Sequence, residues 1–540
     1  MLNIHLEMAQ ALLPQALTLD ALRRWSVSML VWLHLLMAGC AGLPTGSVQR
    51  LPSQALLNAA SVLAQVVRDS TTASNSAVSS DESGVRLLAE GDAALDARLA
   101  LVQRAELTLD VQYYQIASDA VGLRFFSELR QAAARGVRVR LLIDDLHTAG
   151  QDPLFAVLAQ QPGIELRLFN PLPARGDSTV VRLVRSMHQF SRINRRMHNK
   201  LFLADGVVAV VGGRNIADAY FAQSAQANFI DLDVLVTGAV VAELAGVFDA
   251  YWNSESAWPV LSLVTPQAGT ASSLDALLAA AAPALPVAAL DRLGRCSVTA
   301  QLASGRLGLT FARVQVAADD PAKALGQADL SRSTRAVVSA AMAQSRDELM
   351  IVSPYFIPGV DGMALLQGLC SQHTRLTVLT NSLGATDEPL VHAGYAKYRR
   401  AMLTMGVKLH ELGAALSPTH SLLGGLHSSA GRLHAKVAVI DGQRLVVGSM
   451  NMDARSARHN TEISLLIDSP ALAAEVTRLY QSEVLAGAYQ LRLAANSTGI
   501  EWRSQVVGRE VLHAAEPDAG LARTLRLMLL LGALVSEDWL

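Results

Sequence analysis

Two short stretches carry side chains of kinds that do chemistry, at one common spacing. Residues 195–215 read RRMHNKLFLADGVVAVVGGRN and residues 433–451 read LHAKVAVIDGQRLVVGSMN. His198, Lys200, Asp205 and Gly212 recur as His434, Lys436, Asp441 and Gly448, each pair 236 positions apart. A constant offset over four residues marks an internal duplication. Each copy offers an imidazole, an ammonium and, at Asn215 or Asn451, a carboxamide. Neither copy alone has enough polar groups. Joined about a pseudo-twofold, two lysines and two amides suit gripping the oxygens of a phosphodiester. One imidazole can attack phosphorus while the other protonates the departing alcohol, dividing one hard displacement into two through a phosphohistidine. A metal site is an alternative use of His and Asp. Against it, a lysine two residues from each histidine would bring positive charge beside a cation, and no carboxylate cluster for a divalent ion stands near either motif. No metal or other cofactor is therefore expected. The other alternative, a plain strand histidine, is weakened by the duplication. The candidate catalytic set is His198, Lys200, Asp205, His434, Lys436 and Asp441. The two aspartates are its weak members, placed at turns where they would hold a hairpin and not the phosphate.

Such side chains need a rigid frame. On a strand, residues two apart share a face, so His198 and Lys200 project together. LFLA continues that strand, Asp205-Gly206 makes the turn, and VVAVV returns; Asp441-Gly442 turns the second copy. Ahead of each hairpin, helix and strand alternate, as in ALDARLALVQRAELTLDVQYYQI and AVVSAAMAQSRDELMIVSPYFI. This predicts an α/β layer structure. Order is expected from near Gly84. The chain divides into a leader (1–40), a flexible Ser/Thr/Ala-rich linker (41–83), a first domain (84–259), a connecting segment with some helix (260–335), a second domain (336–515) and an apolar tail (516–540).

The 540 residues suit two or more domains and a sizeable core. A net charge of −2 supplies no global field towards nucleic acid, so an anionic ligand must rely on local basic groups. The three cysteines, Cys40, Cys296 and Cys370, form no CxxC and no zinc spacing. Cys296 and Cys370 are expected to be buried or idle thiols. Cys40 ends RRWSVSMLVWLHLLMAGC, which resembles a bacterial lipoprotein leader with Met37 in place of the usual leucine. That resemblance implies lipidation at Cys40; the alternative is an uncleaved amphipathic helix. The run is short of the ~20 apolar residues a spanning helix needs. The apolar run 525–535 is also too short, and reads as a capping or an interfacial helix. Arg182, Arg185, Arg192, Arg195 and Arg196 precede the first motif. Arg195 and Arg196 are candidate lipid-phosphate ligands at the mouth of the site, with a solvated helix face as the alternative. His392 either borders the pocket or packs. Tyr113, Tyr114, Tyr355 and Phe356 read as core or pocket wall.

HxKxxxxD, then six residues, then GG or GS, one residue and Asn, present twice, is the signature of the phospholipase D superfamily. The chain resembles that family over about residues 84–515. The resemblance implies two phospholipase D-like α/β domains related by a pseudo-twofold, with mixed sheets flanked by helices and the hairpins meeting at the interface. It implies His198 as nucleophile and His434 as acid, and a carboxylate behind a catalytic imidazole downstream of each motif. FIDLDVLV and NTEISLLI nominate Asp231 and Glu462, with Asp233 competing in the first half. Such a carboxylate fixes the tautomer and stabilises the imidazolium. LDVQYYQI, RGVRVRLLIDD, INRRMHNK, VVGGRNIADAYF, LTNSLGATD and VHAGYAKYRR are similar to bacterial cardiolipin synthases of the C type. That implies a membrane-associated phosphatidyl transfer making cardiolipin from phosphatidylglycerol, with phosphatidylethanolamine as a second lipid, and no nucleic-acid partner. Three other readings remain: a phospholipase D passing the group to water, a nuclease, and a non-catalytic lipid-binding scaffold.

Overall fold

In this computed structural model, residues 42–44, 48–57, 60–74, 77–266, 276–278, 290–414, 430–495, 499–506 and 509–517 are described. The leader, Cys40 and the run 525–535 lie outside the described residues.

The motif hairpins form as their residues dictate. Leu201–Ala204 pairs antiparallel with Val208–Gly212, and Lys436–Ile440 with Arg444–Gly448. Asp205 and Gly206 turn the first hairpin at φ 52° and 63°, and Asp441 and Gly442 the second at 52° and 62°. Two successive left-handed residues make the turn whose twist matches the flanking strands, and Asp-Gly tolerates it best. Leu201 and Leu203 enter one core while Phe202 and Ala204 enter another. A strand buried on both faces is apolar throughout, which is why these strands show no alternation.

Each hairpin sits mid-sheet. In the first half the order is Ala257–Pro259, Ile164–Phe169, Arg138–Asp144, Thr108–Tyr113, the hairpin, Asp233–Gly238 and Glu82–Leu88. The second half repeats it as Ala488–Leu493, Lys408–Leu412, Arg375–Asn381, Glu348–Val352, the hairpin, Ile463–Asp468 and Thr310–Ala318. In each half three strands are mutually parallel and the rest antiparallel. Glu82–Leu88 then pairs antiparallel with Thr310–Ala318, from Glu82 opposite Arg313 to Val85 opposite Thr310, joining both halves into one 18-stranded sheet. Helices Gly91–Arg104 and Ala120–Ala134 cover the outer face of the first half. Thr334–Ala343 and Gly359–Ser371 cover that of the second. Between the halves, Leu244, Phe248 and Trp252 of helix Ala239–Trp252 share a core with Val437, Leu465, Leu472 and Val476.

Two expectations change. The stretch expected as a flexible linker, 41–83, holds helix Val62–Thr72, capped by Ser61, with Leu63 and Val66 in the first core. Upstream, the Ala55 N–H donates to the Asp249 carboxylate at 2.9 Å, and Arg140 reaches the Ser53 carbonyl at 3.1 Å. The polar composition hid a helix that needs only a narrow apolar stripe. The stretch expected as a connecting segment, 260–335, supplies strand Thr310–Ala318, the counterpart of Glu82–Leu88. Its inward residues Ala312, Val314 and Val316 alternate with Arg313 and Gln315, a signal masked by the Ala- and Gly-rich chain around it. Among the described residues no helix is long and apolar enough to cross a membrane.

Candidate active site

Each motif histidine lies just before its hairpin, and its backbone is held by the other half of the molecule. The His198 N–H donates to the Thr461 carbonyl at 2.9 Å, and the Thr461 N–H to the Arg196 carbonyl at 2.9 Å. The His434 N–H donates to the Ile230 carbonyl at 2.8 Å. Strand Ala430–Leu433, just before it, pairs parallel with Ala227–Ile230. The carboxylates follow the same crossing. Glu462 accepts from His198 Nδ1 at 2.9 and 3.1 Å, and Asp231 from His434 Nδ1 at 2.6 Å. Each half therefore supplies the acid behind the other half's imidazole. With Nδ1 held by a carboxylate, Nε2 is the nitrogen on each ring that no carboxylate holds, that of His434 lying 3.2 Å from Lys436 Nζ.

The two acids are held differently. Ser449 and Ser456 donate their hydroxyls to Glu462, whose own N–H is taken by Asp319 at 2.9 Å. Asp319 in turn pairs with Lys323 at 2.8 Å. In the first half Gly213 stands 236 positions before Ser449, and a Cβ there would lie 2.2 Å from Asp231 Oδ1. The GG of one motif and the GS of the other thus have a steric reason: the Asp231 carboxylate occupies the place of a side chain at 213. Asp233, the competing candidate, is committed elsewhere, to Arg98 at 2.9 Å and Arg214 at 3.3 Å.

The charged groups of the site are buried and closely matched. His198, Lys200, His434 and Lys436 are all at most 8 % exposed. Burial and Lys200 push His198 down to about 4, against the opposing pull of Glu462. Burial and Lys436 likewise lower His434, with Asp231 opposing. Burial lowers Lys200 far below the ordinary lysine range and brings Lys436 down to about 8. Asp231 and Glu462 are held below the ordinary carboxylate range, where the imidazoles and lysines outweigh burial. With both imidazoles shifted towards neutral, the two carboxylates are matched by at most two ammonium groups, and a bound phosphate anion would favour the imidazolium and ammonium forms that burial opposes. The amide oxygens of Asn215 and Asn451 are buried without a partner among the described residues. Rotating either amide exchanges its nitrogen and oxygen, so each can present a donor to an anion.

A family model described as "Cardiolipin synthase, PLD-like domain" matches residues 99–252 and 338–483. Cardiolipin synthase C of Escherichia coli is 37% identical over 450 residues, covering 83% of this chain and 94% of that protein.

The chain belongs to the phospholipase D superfamily, in its cardiolipin synthase-like group.

A cardiolipin synthase A of Pseudomonas fluorescens is 25% identical over 438 residues, covering 80% of this chain and 74% of its own. The crystal structure of phosphatidylserine synthase from Haemophilus influenzae matches the fold with a TM-score of 0.51 at 14% identity, over 75% of this chain and 87% of that one.

Other residues of the phospholipase D motifs take structural places. Asp205 accepts the backbone N–H groups of Glu106, Leu107 and Thr108 at 2.8–3.2 Å. Asp441 does the same for Arg346, Asp347 and Glu348 at 2.8–3.1 Å. Both sit at the far end of their strands from the imidazoles and tie the hairpin to its neighbour, so they are turn anchors and leave the candidate catalytic set. The expected arginine grip at the mouth is corrected for Arg196. Arg196 is wholly buried, bonded to Asp144 at 3.1 Å and to the Asn170 carbonyl at 2.9 Å. The Arg195 guanidinium lies against Gly326. Arg182 pairs with Asp152 at 3.0 Å, and Arg192 with the Pro171 carbonyl at 2.8 Å. His392 packs, bonded to Glu516 at 2.6 Å beside Arg399.

Sequence reasoning read Tyr114 and Tyr355 as core or pocket wall and missed Tyr220 and Phe229. Tyr114 meets His198 edge-on at 5.1 Å and lies 5.3 Å below Lys200 Nζ. Tyr220 and Phe229 each stand 5.0 Å from the His434 ring, and Tyr355 lies 6.0 Å from Lys436 Nζ. The Tyr220 hydroxyl accepts from Asn215 Nδ2 at 2.9 Å. Tyr220 and Phe229 carried no signal in sequence that marked them out, since aromatics that line a pocket look like aromatics of a core. Cys296 is exposed and Cys370 half-buried, both free.

Proposed function

We propose that this phosphatidyltransferase makes cardiolipin from phosphatidylglycerol and a second phospholipid, by two displacements at one phosphorus. The observation that carries the reading is the crossed pair of imidazoles, each backed at Nδ1 by the opposite half's carboxylate. His198 Nε2 attacks the phosphodiester phosphorus, the bond to the leaving alcohol oxygen breaks, and protonated His434 gives that oxygen its proton. The acceptor lipid's hydroxyl then attacks the phosphohistidine, returning a proton to His434 and freeing His198. Lys200, Lys436, Asn215 and Asn451 hold the non-bridging oxygens as charge develops on them.

Two features support transfer to a lipid alcohol over water. Aromatic rings flank both imidazoles, which limits the room for water. Asp387 and Glu388 are exposed, and the charge of Asp387 is felt by His434 and Lys436. An anionic pair there would suit the ammonium of an ethanolamine headgroup.

The test is purified protein in vesicles holding phosphatidylglycerol, with and without phosphatidylethanolamine, the products followed by mass. Cardiolipin is the expected product, with more of it when both lipids are present. Phosphatidic acid alone would indicate hydrolysis, and no turnover a scaffold. Donor labelled in phosphate should mark the wild type and leave His198→Ala unmarked; equal labelling of the two would overturn the nucleophile assignment.

A further inference from the structure

Helix Thr179–Ser186, eleven residues before the first motif, is amphipathic the wrong way round for water. Its polar side is the buried one. Arg182 and Ser186, one turn apart, are both 0% exposed. Arg182 donates to the Gly176 carbonyl at 2.5 Å and to Thr148 Oγ1 at 3.1 Å, besides its pair with Asp152. The Ser186 hydroxyl accepts from the Ala174 N–H. The apolar side faces out: Val180 is 69% exposed, Val181 48%, Val184 48%, and Met187 just beyond the helix 51%. A surface helix normally buries its aliphatic stripe and hydrates its arginines. A clustered apolar face held outward by buried ion pairs marks a surface meant for a non-aqueous partner.

Its place in the fold says which partner. Arg182 grips the loop that follows strand Arg138–Asp144, through Asp145 at 3.7 Å and Thr148. His147 of that loop touches the Tyr114 hydroxyl at 3.0 Å, and Tyr114 packs on His198. The outward helix is thus braced on a loop that reaches, through His147 and Tyr114, the imidazole that must meet a lipid phosphate. Arg185 and His188 are exposed beside the valines, at the height where anionic headgroups would lie.

We propose that helix Thr179–Ser186 is the membrane-docking element of this enzyme, its valines and Met187 entering the interface of an anionic phospholipid bilayer with Arg185 at headgroup level. The choice of lipid rests on the phosphatidyl-transfer reading; the docking itself does not. Docking through this helix sets the active site close to the leaflet, so that a headgroup enters while its acyl chains stay in the bilayer.

The experiment uses the full-length chain with Cys40→Ser throughout, so that no acyl group contributes. Co-sedimentation with vesicles of mixed phosphatidylglycerol and phosphatidylcholine is measured alongside turnover of soluble short-chain phosphatidylglycerol. Burial of two valine side chains is worth enough that Val180→Asp with Val184→Asp should weaken vesicle binding and vesicle turnover about tenfold or more, while short-chain turnover is kept. Arg185→Glu should lose the preference for anionic over neutral vesicles without loss of short-chain turnover. In a Val184→Trp protein the indole emission should shift to the blue only when vesicles are added. Equal vesicle binding by wild type and the double variant would overturn the proposal. So would an indole already shielded from an aqueous quencher without vesicles, since another part of this chain or a second copy would then cover the helix. If the double variant unfolds, the Arg185→Glu and Val184→Trp results decide alone. Wild type that binds vesicles but never turns over short-chain lipid would sink the transfer reading and leave the docking element standing.

Discussion

At the scale of single residues, the active site is a problem in placing protons. His198 must be neutral to attack, which holds above about 4. His434 must be protonated to serve as acid, which holds below its own value, itself under the ordinary 6.5. For the free enzyme, kcat/KM should therefore be bell-shaped with its maximum on the acid side of neutrality, falling as pH rises through the His434 limb. Bound phosphate adds an anion that favours both imidazolium forms, so the kcat profile should lie at higher pH than that of kcat/KM. Soluble short-chain phosphatidylglycerol makes both measurable, and a kcat/KM that climbs steadily past pH 8 would contradict the assignment. Gly213 gives a second test. A methyl group there meets the Asp231 carboxylate, so Gly213→Ala should move that acid off His434 Nδ1 and cost about 10²-fold in kcat, on the scale of other single groups aimed at the transition state. The same change at its counterpart, Ser449→Ala, removes one of several ties on Glu462 and should cost far less.

At the scale of elements, the motif aspartates and the buried arginines hold strands and loops in place. Asp441 is separated from His434 by strand Lys436–Ile440, about 17 Å at strand rise. It gathers three backbone N–H groups and the Ser345 hydroxyl. Asp441→Ala should lower stability by about 1 kcal/mol, because the three backbone donors are exposed and only the buried Ser345 hydroxyl loses an acceptor out of reach of water. Asp441→Asn should cost less, since asparagine tolerates the left-handed turn. Chemical denaturation reads the loss, and kcat of the folded fraction should be unchanged; a lost kcat would return Asp441 to the catalytic set. Arg196 belongs to the same scale. Its pair with Asp144 sets the backbone that leads into His198, and Met197 N–H bonds the same carboxylate at 2.8 Å. Breaking a wholly buried pair of this kind costs about 3–5 kcal/mol, so Arg196→Ala should act through folding and not through substrate affinity.

At the scale of the whole molecule, the two halves do not stand apart. Their sheets are joined edge to edge, their helices share a core, and each imidazole depends on the other half's acid. A specific protease site placed within residues 281–289, between the halves, should therefore yield two fragments that stay together in native chromatography and keep activity. The first half expressed alone should be insoluble or inactive, having lost the cover of its inner face. A soluble, stable first half would argue that the shared core contributes little.

What was legible in the sequence was whatever is local. The duplicated motif, the Asp-Gly turns, the alternation of helix and strand, and the candidacy of Asp231 and Glu462 follow from spacing, from the φ values Asp-Gly accepts, and from resemblance. The pairing of those acids was not legible: adjacency in sequence puts Glu462 with the second motif, yet it backs His198, because the strands cross between the halves. Nor were the arginines. A run of basic residues ahead of a motif looks alike whether it faces lipid or closes on Asp144, Asp145 and Asp152, whose positions depend on loops far off in the chain. Strand Thr310–Ala318 was hidden for the same reason, since a strand in an Ala-rich stretch is decided by the edges it finds on either side. Local chemistry and turn geometry are set by neighbours in the chain, whereas pairing, burial and which side of a helix faces out are set by neighbours in space, and these only the tertiary structure decided.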